Sequence, residues 1–308
     1  MAKRYCFRSL LWGCMLLIIQ TVAWAQVNQG KTYQGLYLDA LTVRDVQSGF
    51  DVQAFIERVR RDTTFYKAFK TLRILNYRMY NDIEIVTKEQ ETKATYNSSC
   101  RQEIKNHCRS MVVEQEKVSG DFFKKDRQYR YRTAGLYDHL FFTHGSICNE
   151  NNIVAQSIFT GTTKYEEQLR ILIFNPGRRI TGIPGIGDNV AIFEAPYFSK
   201  YNFYLSRTVY NGDSCYVFTA HPKPQYKNQV VINELKTWFR VNDFTIMARD
   251  YSLSFRTWIY DFDVEMKVKL KKTAQYLVPY EVAYKGSWHV FTKPREIARF
   301  TAIFTDFH

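Results

Sequence analysis

One stretch constrains the fold more than any other: WIYDFDVEMKVKLKK, residues 258–272. Trp258, Tyr260, Phe262, Val264, Met266, Val268 and Leu270 fall on one side of an extended chain. Asp261, Asp263, Glu265, Lys267, Lys269 and Lys271 fall on the other. Side chains of a β-strand alternate between faces, so this is a strand with one apolar face and one face in water, the pattern of an antiparallel sheet. About 13 residues would run roughly 44 Å, more than twice the usual strand length. Strands this long suit a large curved sheet, a barrel or a half-barrel. A concave apolar face must be filled by a helix, another layer or a ligand.

The rest of the C-terminal region reads as a meander. Further strands are expected at 202–210, 214–220, 230–239, 244–255, 277–285 and 297–307, with turns at NGD (211–213), VND (241–243) and KGS (285–287). These connections are too short for parallel crossovers. Residues 230–239 also suit one helix face. Upstream, Val52, Phe55, Ile56, Val59, Phe65, Phe69 and Leu72 recur at three- and four-residue steps. That predicts one or two helices within 51–75, broken near DTT (62–64), which pack on the sheet or form a lid over a cavity. Strand-like composition extends through 77–92, 111–135 and 140–148 and returns at 169–174; CRQEIKNHC (100–108) is polar and could form a short helix. The glycine-rich stretch 177–196 lacks the ending and spacing of a phosphate loop and is expected to be a connection.

The first 25 residues read as a cleaved secretory leader: Lys3, Arg4 and Arg8, then an apolar run, then Ala23-Trp24-Ala25. The run is short for a membrane span. The remaining single domain would hold 283 of the 308 residues, with a cysteine-bearing insertion near 90–165. Loss of the three leader cations would take the net charge from +13 to +10. The expected location is the periplasm or outer membrane, or outside the cell. The basic residues are spread, which suits a membrane surface better than nucleic acid. Cys100, Cys108, Cys148 and Cys215 remain, an even number that suggests two disulfides in an exported chain. Three connectivities are open, and the short Cys100–Cys108 loop, leaving Cys148 with Cys215, is preferred.

No catalytic constellation stands out. Cys215 precedes His221 by six residues, but an oxidising compartment disfavours a thiolate nucleophile. Pro222 and Pro224 mark the end of a strand rather than an active-site loop. Asp261, Asp263 and Glu265 lie roughly 7 Å apart, a spacing seen in inverting glycosidases. Three lysines follow them on the same face, as in a solvated face with cross-strand ion pairs. Asp138, His139 and His144 lack metal-site spacing. The reading is therefore a non-enzyme without metal or cofactor.

Three segments resemble a known family. VINELKTWFRVNDFTIMARDYSLSF (231–255) is similar to the strand–turn–strand in which LolA/LolB-type bacterial lipoprotein carriers place a tryptophan before a turn. YNGDSCYVFTAHPKP (210–224) resembles the preceding strand, and YLVPYEVAYKG (276–286) a later one. Here Trp238 is followed by Phe239 and Arg240 in place of the family's usual aspartate. The whole chain also resembles uncharacterised exported proteins of Gram-negative bacteria. The resemblance implies an unclosed antiparallel β-barrel, with helices over a hydrophobic cavity that binds acyl chains, and no catalytic residues.

The expectation is thus a mainly β (α+β) domain whose curved antiparallel sheet or unclosed barrel carries an N-terminal helical plug or lid. It would bind a lipid or lipoprotein acyl chain on Trp258, Tyr260, Phe262, Val264 and Met266. The competing reading is an envelope interaction protein that binds a protein or glycan through the exposed side of its sheet.

Overall fold

The computed structural model describes residues 36–38, 52–149, 174–179, 186–187, 189–258, 260–291 and 293–308. The leader expected at 1–25 and most of the 169–174 strand lie outside the described residues. In chain order the elements are β1 (Leu36–Leu38), α1 (Val52–Arg61), α2 (Thr64–Thr71), β2 (Tyr77–Val86), β3 (Thr92–Lys105), β4 (Cys108–Gly120), α3 (Arg132–Phe141) and β5 (Ile147–Cys148). They continue as β6 (Tyr201–Tyr210), β7 (Asp213–Pro222), β8 (Ile232–Arg240), β9 (Ile246–Arg256), β10 (Tyr260–Lys272), β11 (Leu277–Val290) and β12 (Lys293–Thr305).

All strands join one antiparallel sheet in the order β1-β6-β7-β8-β9-β10-β11-β12-β2-β3-β4-β5, unclosed among the described residues. The meander from β6 to β12 follows the sequence reading, and the ambiguous 230–239 stretch is strand. β10 carries the predicted alternation: Phe262, Val264, Met266, Val268 and Leu270 are buried, while Asp263, Glu265 and Lys267 are exposed. The helical region divides into α1 and α2 at Asp62–Thr63. Phe55, Ile56 and Val59 of α1, and Phe65, Ala68 and Phe69 of α2, are buried in one apolar cluster with the inner face of the sheet.

The last strand lies inside the sheet. β12 pairs with β11 on one side and β2 on the other, from Ile297↔Val86 to Thr305↔Arg78. The pairing ends in reciprocal backbone bonds between Asn76 and His308, 3.1 and 3.2 Å long. β12 thereby joins the early hairpins to the late meander.

Four local expectations are corrected. The short helix at 100–108 is a hairpin: Asn106 (φ 51°) and His107 (φ 59°) turn β3 into β4. Two central residues at positive φ make the tight turn that matches sheet twist. Of the strand expected at 140–148, Leu140 and Phe141 close α3, 142–146 is a connection, and Ile147–Cys148 alone is strand. The turn expected at KGS is continuous β11. Gly286 lies beneath the Tyr284 ring, and a Cβ there would stand 2.2 Å from Tyr284 Cζ. That ring stacks on Phe300 at 4.6 Å between centroids. The turn itself follows Val290.

The fourth correction concerns the cysteines. Cys108 bonds to Cys148, its register partner across β4 and β5. Cys100 stands opposite Val113 in the same hairpin in which Cys108 stands opposite Lys105. Five residues of strand separate Cys100 from Lys105, roughly 17 Å, beyond the reach of a disulfide. Cys100 and Cys215 are free and buried.

Candidate functional site

The inner face of β10 is the floor expected to hold a ligand, and it is covered. Phe262 packs against Trp288 at 4.9 Å and Phe255 at 6.1 Å between centroids. Met266 Sδ accepts the Tyr251 hydroxyl at 3.4 Å. Val264 is fully buried between them in sequence. β10 begins at Tyr260, whose side chain lies outside the described residues. Trp258 departs from the expected face: it precedes the strand in a turn and is 78% exposed.

The helices α1 and α2 join the same apolar cluster from the side of β7, β8 and β9. Phe55 meets Tyr216, Phe218, Phe239 and Phe244 with centroids 5.1 to 6.1 Å apart. Phe65 packs on Tyr251 and Phe69 on Phe174. The helices have 10 and 8 residues. Isolated helices shorter than about 12–15 residues are marginal in water. Their helicity therefore depends on the aromatic contacts beneath them, and they can lift only by exchanging those contacts for others.

The elbow between the helices is tied to the body by arginines. Arg178 Nη2 donates to the carbonyls of Arg60 (3.0 Å) and Asp62 (2.7 Å). Buried Arg249, on β9, donates from Nε to Thr237 Oγ1 at 3.0 Å and lies 4.4 Å from the Phe65 ring centroid. Burial pulls its pKa down to about 10, against the attraction of the Asp62 charge. Asp62 Oδ1 takes the Thr64 hydroxyl, while its Oδ2 is buried with no hydrogen-bond partner among the described residues.

A cleft of about 720 Å³ opens beside this elbow. Its walls are α1, the β8–β9 turn and the β10–β11 turn. Phe244, Tyr276, Leu277 and Ala54 supply apolar surface; Arg58, Arg61 and Lys272 bring positive charge. Arg58 stacks over Phe244, 3.9 Å from the ring centroid. The cleft's acids are partly engaged: Glu57 with Arg60 and Arg61, Asp243 with Arg240. Against desolvation, Arg60 and Arg61 hold the Glu57 carboxyl below its ordinary value, and hydrogen bonds from Thr245, then Arg240, do the same for Asp243. The volume lies in the usual range for a ligand pocket.

The other sequence candidates do not assemble into a reactive centre. Cys215 and His221 are six residues apart along β7, roughly 20 Å, and burial pushes both free thiols up, Cys100 to about 11. Asp261 binds Arg295 and His289, and Asp263 binds Arg256. His144 Nε2 meets Asp138, which also accepts the Tyr129 hydroxyl at 2.6 Å. Among the described residues, no group of three or more His, Cys, Asp or Glu side chains could hold a metal, and no helix is long and apolar enough to cross a membrane.

The sequence reading missed Arg249 and the Arg58–Phe244 pair. Arg249 had a signal. It shares the inward face of β9 with Tyr251 and Leu253, so period-2 alternation places a cation on an apolar surface. The Arg58–Phe244 contact joins distant segments and had none.

No protein-family model and no curated protein matches the chain. Among solved structures, the chain is similar to a "putative outer membrane lipoprotein-sorting protein domain" from Vibrio parahaemolyticus. The two are 9% identical with a TM-score of 0.26, over 82% of this chain and 90% of that one. It is also similar to a DUF1329 family protein from Desulfovibrio piger, at 9% identity and a TM-score of 0.23, over 80% of this chain and 93% of that one.

Proposed function

We propose that the protein is a non-enzymatic envelope protein that binds an amphiphilic ligand, a lipid or a lipoprotein acyl chain, between the curved sheet and the α1–α2 pair. The observation that carries the reading is the cleft at the helix elbow, with apolar Phe244, Tyr276 and Leu277 beside cationic Arg58, Arg61 and Lys272. An acyl chain would enter along the apolar wall while an anionic head stays with the cations. Phe65 of α2 packs on Tyr251, whose hydroxyl meets Met266, so a lift of the helices would open the floor from the Met266 end, while Phe262 packs on Phe255 and Trp288. Tyr260 stands at the far end of the same strand. Trp258, exposed in its turn, has no part in this site.

The driving force is burial, about 25 cal/mol per Å² of apolar surface removed from water. In the closed form Phe55 and Phe65 already cover Phe218, Phe239 and Tyr251 of the inner face, so ligand and lid compete for that surface. Binding therefore selects a lifted state, and release follows when the lid returns. The test is native mass spectrometry of protein purified from its own envelope, followed by lipid extraction and titration with a fluorescent fatty acid. Copurifying lipid and saturable uptake are expected. Absence of both would remove the carrier reading.

A further inference from the structure

Trp258 and Phe291 form an exposed aromatic pair at the end of the sheet opposite the cleft. They are 78% and 68% exposed, yet their rings lie 6.1 Å apart between centroids. Trp258 sits in the β9–β10 turn and Phe291 in the β11–β12 turn; the register Tyr260↔Val290 brings the two tips together. Leaving two large rings in water is costly, and contiguous exposed apolar surface marks interaction sites. The paired strands β9 to β12 carry the two tips.

Exposed basic side chains stand close to the pair, interspersed with acids such as Glu89 and Glu91. A second cleft, of about 600 Å³, lies on the same β11–β12 hairpin and the neighbouring β2–β3 turn. Lys88, Lys93, His289 and Arg295 line it, with Glu89 as the acidic residue among its lining. Lys88, Lys93 and Lys293 are exposed. Arg295 and His289 are steadied by Asp261, at 2.5 and 3.2 Å. Next along the sheet, the 121–132 connection carries five Lys and Arg against two Asp.

We propose that this end of the sheet docks on a bilayer surface containing anionic phospholipid. Trp258 and Phe291 enter the headgroup–acyl boundary, where aromatic rings are favoured. Lys88, Lys93 and Lys293 meet lipid phosphates, as basic residues near an anionic leaflet do. Two rings and a few lysines make a reversible contact, unlike a spanning anchor. Because the elbow cleft lies at the other end of the strands, docking leaves that cleft facing away from the membrane. The inference holds whether or not the cleft takes an acyl chain.

The test is cosedimentation of the exported chain with phosphatidylcholine vesicles, with and without phosphatidylglycerol, at low and high salt. Wild-type protein is expected to bind the phosphatidylglycerol vesicles preferentially, and salt should weaken that preference. Trp258→Ser/Phe291→Ser should lower partitioning by about tenfold or more, and Lys88→Glu/Lys93→Glu should abolish the lipid preference. Both rings are exposed, so these variants should melt as the wild type does. A measurement that needs no folded double variant is quenching of tryptophan fluorescence by brominated lipid, which should fall in Trp258→Phe. No wild-type binding to phosphatidylglycerol vesicles, or equal binding by the aromatic double variant, overturns the proposal. So would capture of a protein partner through these rings with vesicles ignored.

Discussion

Replacing Phe55 with alanine separates a lid from an ordinary core helix. Phe55 is buried on α1, and its ring contacts four aromatic rings of the sheet and the β8–β9 turn. Removing a buried Phe side chain costs about 3–5 kcal/mol. If α1 lifts as a unit, most of that cost falls on the closed state of the lid and little on the sheet. With 1.4 kcal/mol per factor of ten, the lower figure raises the open fraction about a hundredfold. A ligand that binds only the open state gains apparent affinity in proportion, until the open state dominates. Phe55→Ala should therefore bind a fluorescent fatty acid up to about a hundredfold more tightly. Amide exchange should speed up in α1 and α2 before the β9–β11 strands. Unchanged or weaker uptake by a variant with native circular dichroism would refute the reasoning. So would exchange that accelerates uniformly across helices and sheet.

Three further outcomes follow from the fold. Gly286→Ala should cost about 1–3 kcal/mol, read as a lower melting temperature, because the new Cβ displaces the Tyr284 ring from Phe300. Glu296 accepts the backbone N–H groups of Arg132 (3.0 Å) and Thr133 (2.7 Å) at the start of α3. Glu296→Ala should therefore cost about 1 kcal/mol in denaturant unfolding. The hydrogen bond to Asp138 raises the His144 pKa above 6.5, with burial opposing it. Its stabilisation is complete below that unfolded value and is lost as pH rises through the folded one. Melting temperature should thus decline slightly as pH rises above about 6.5, and His144→Asn should flatten that part of the profile.

The C-terminal meander was legible because its signals are local. The alternation in β10 fixes which face is buried, and Asn211-Gly212 names the turn between β6 and β7. The break between α1 and α2 was legible too, since the apolar period lapses at Asp62–Thr63. What escaped depends on distant pairing. Nothing in the composition of Ile297–Phe304 says that β2, more than 200 residues earlier, will lie beside it. The Cys108–Cys148 bond follows from the register of β5 on β4, which cysteine spacing does not encode. The run from Leu140 to Cys148 misled because apolar continuity looks alike in a buried strand and at a helix end. Gly286 looked like a turn residue because glycine's other use, yielding space to a neighbouring ring, depends on Tyr284 folding back over it.

The elbow cleft was legible only in outline. Long apolar alternation implies a concave face and a cover, and a cover implies an edge where the two meet. Which side chains stand at that edge is set by where the β8–β9 and β10–β11 turns meet α1, and that is a property of the assembled sheet.

The most direct measurement is photolabelling with a diazirine fatty acid, followed by peptide mapping. The account predicts crosslinks to Phe244, Tyr276 and Leu277, and to the inner face of β10 around Met266. Labelling confined to the outer face of β10 around Lys267, or no saturable labelling at all, would contradict it.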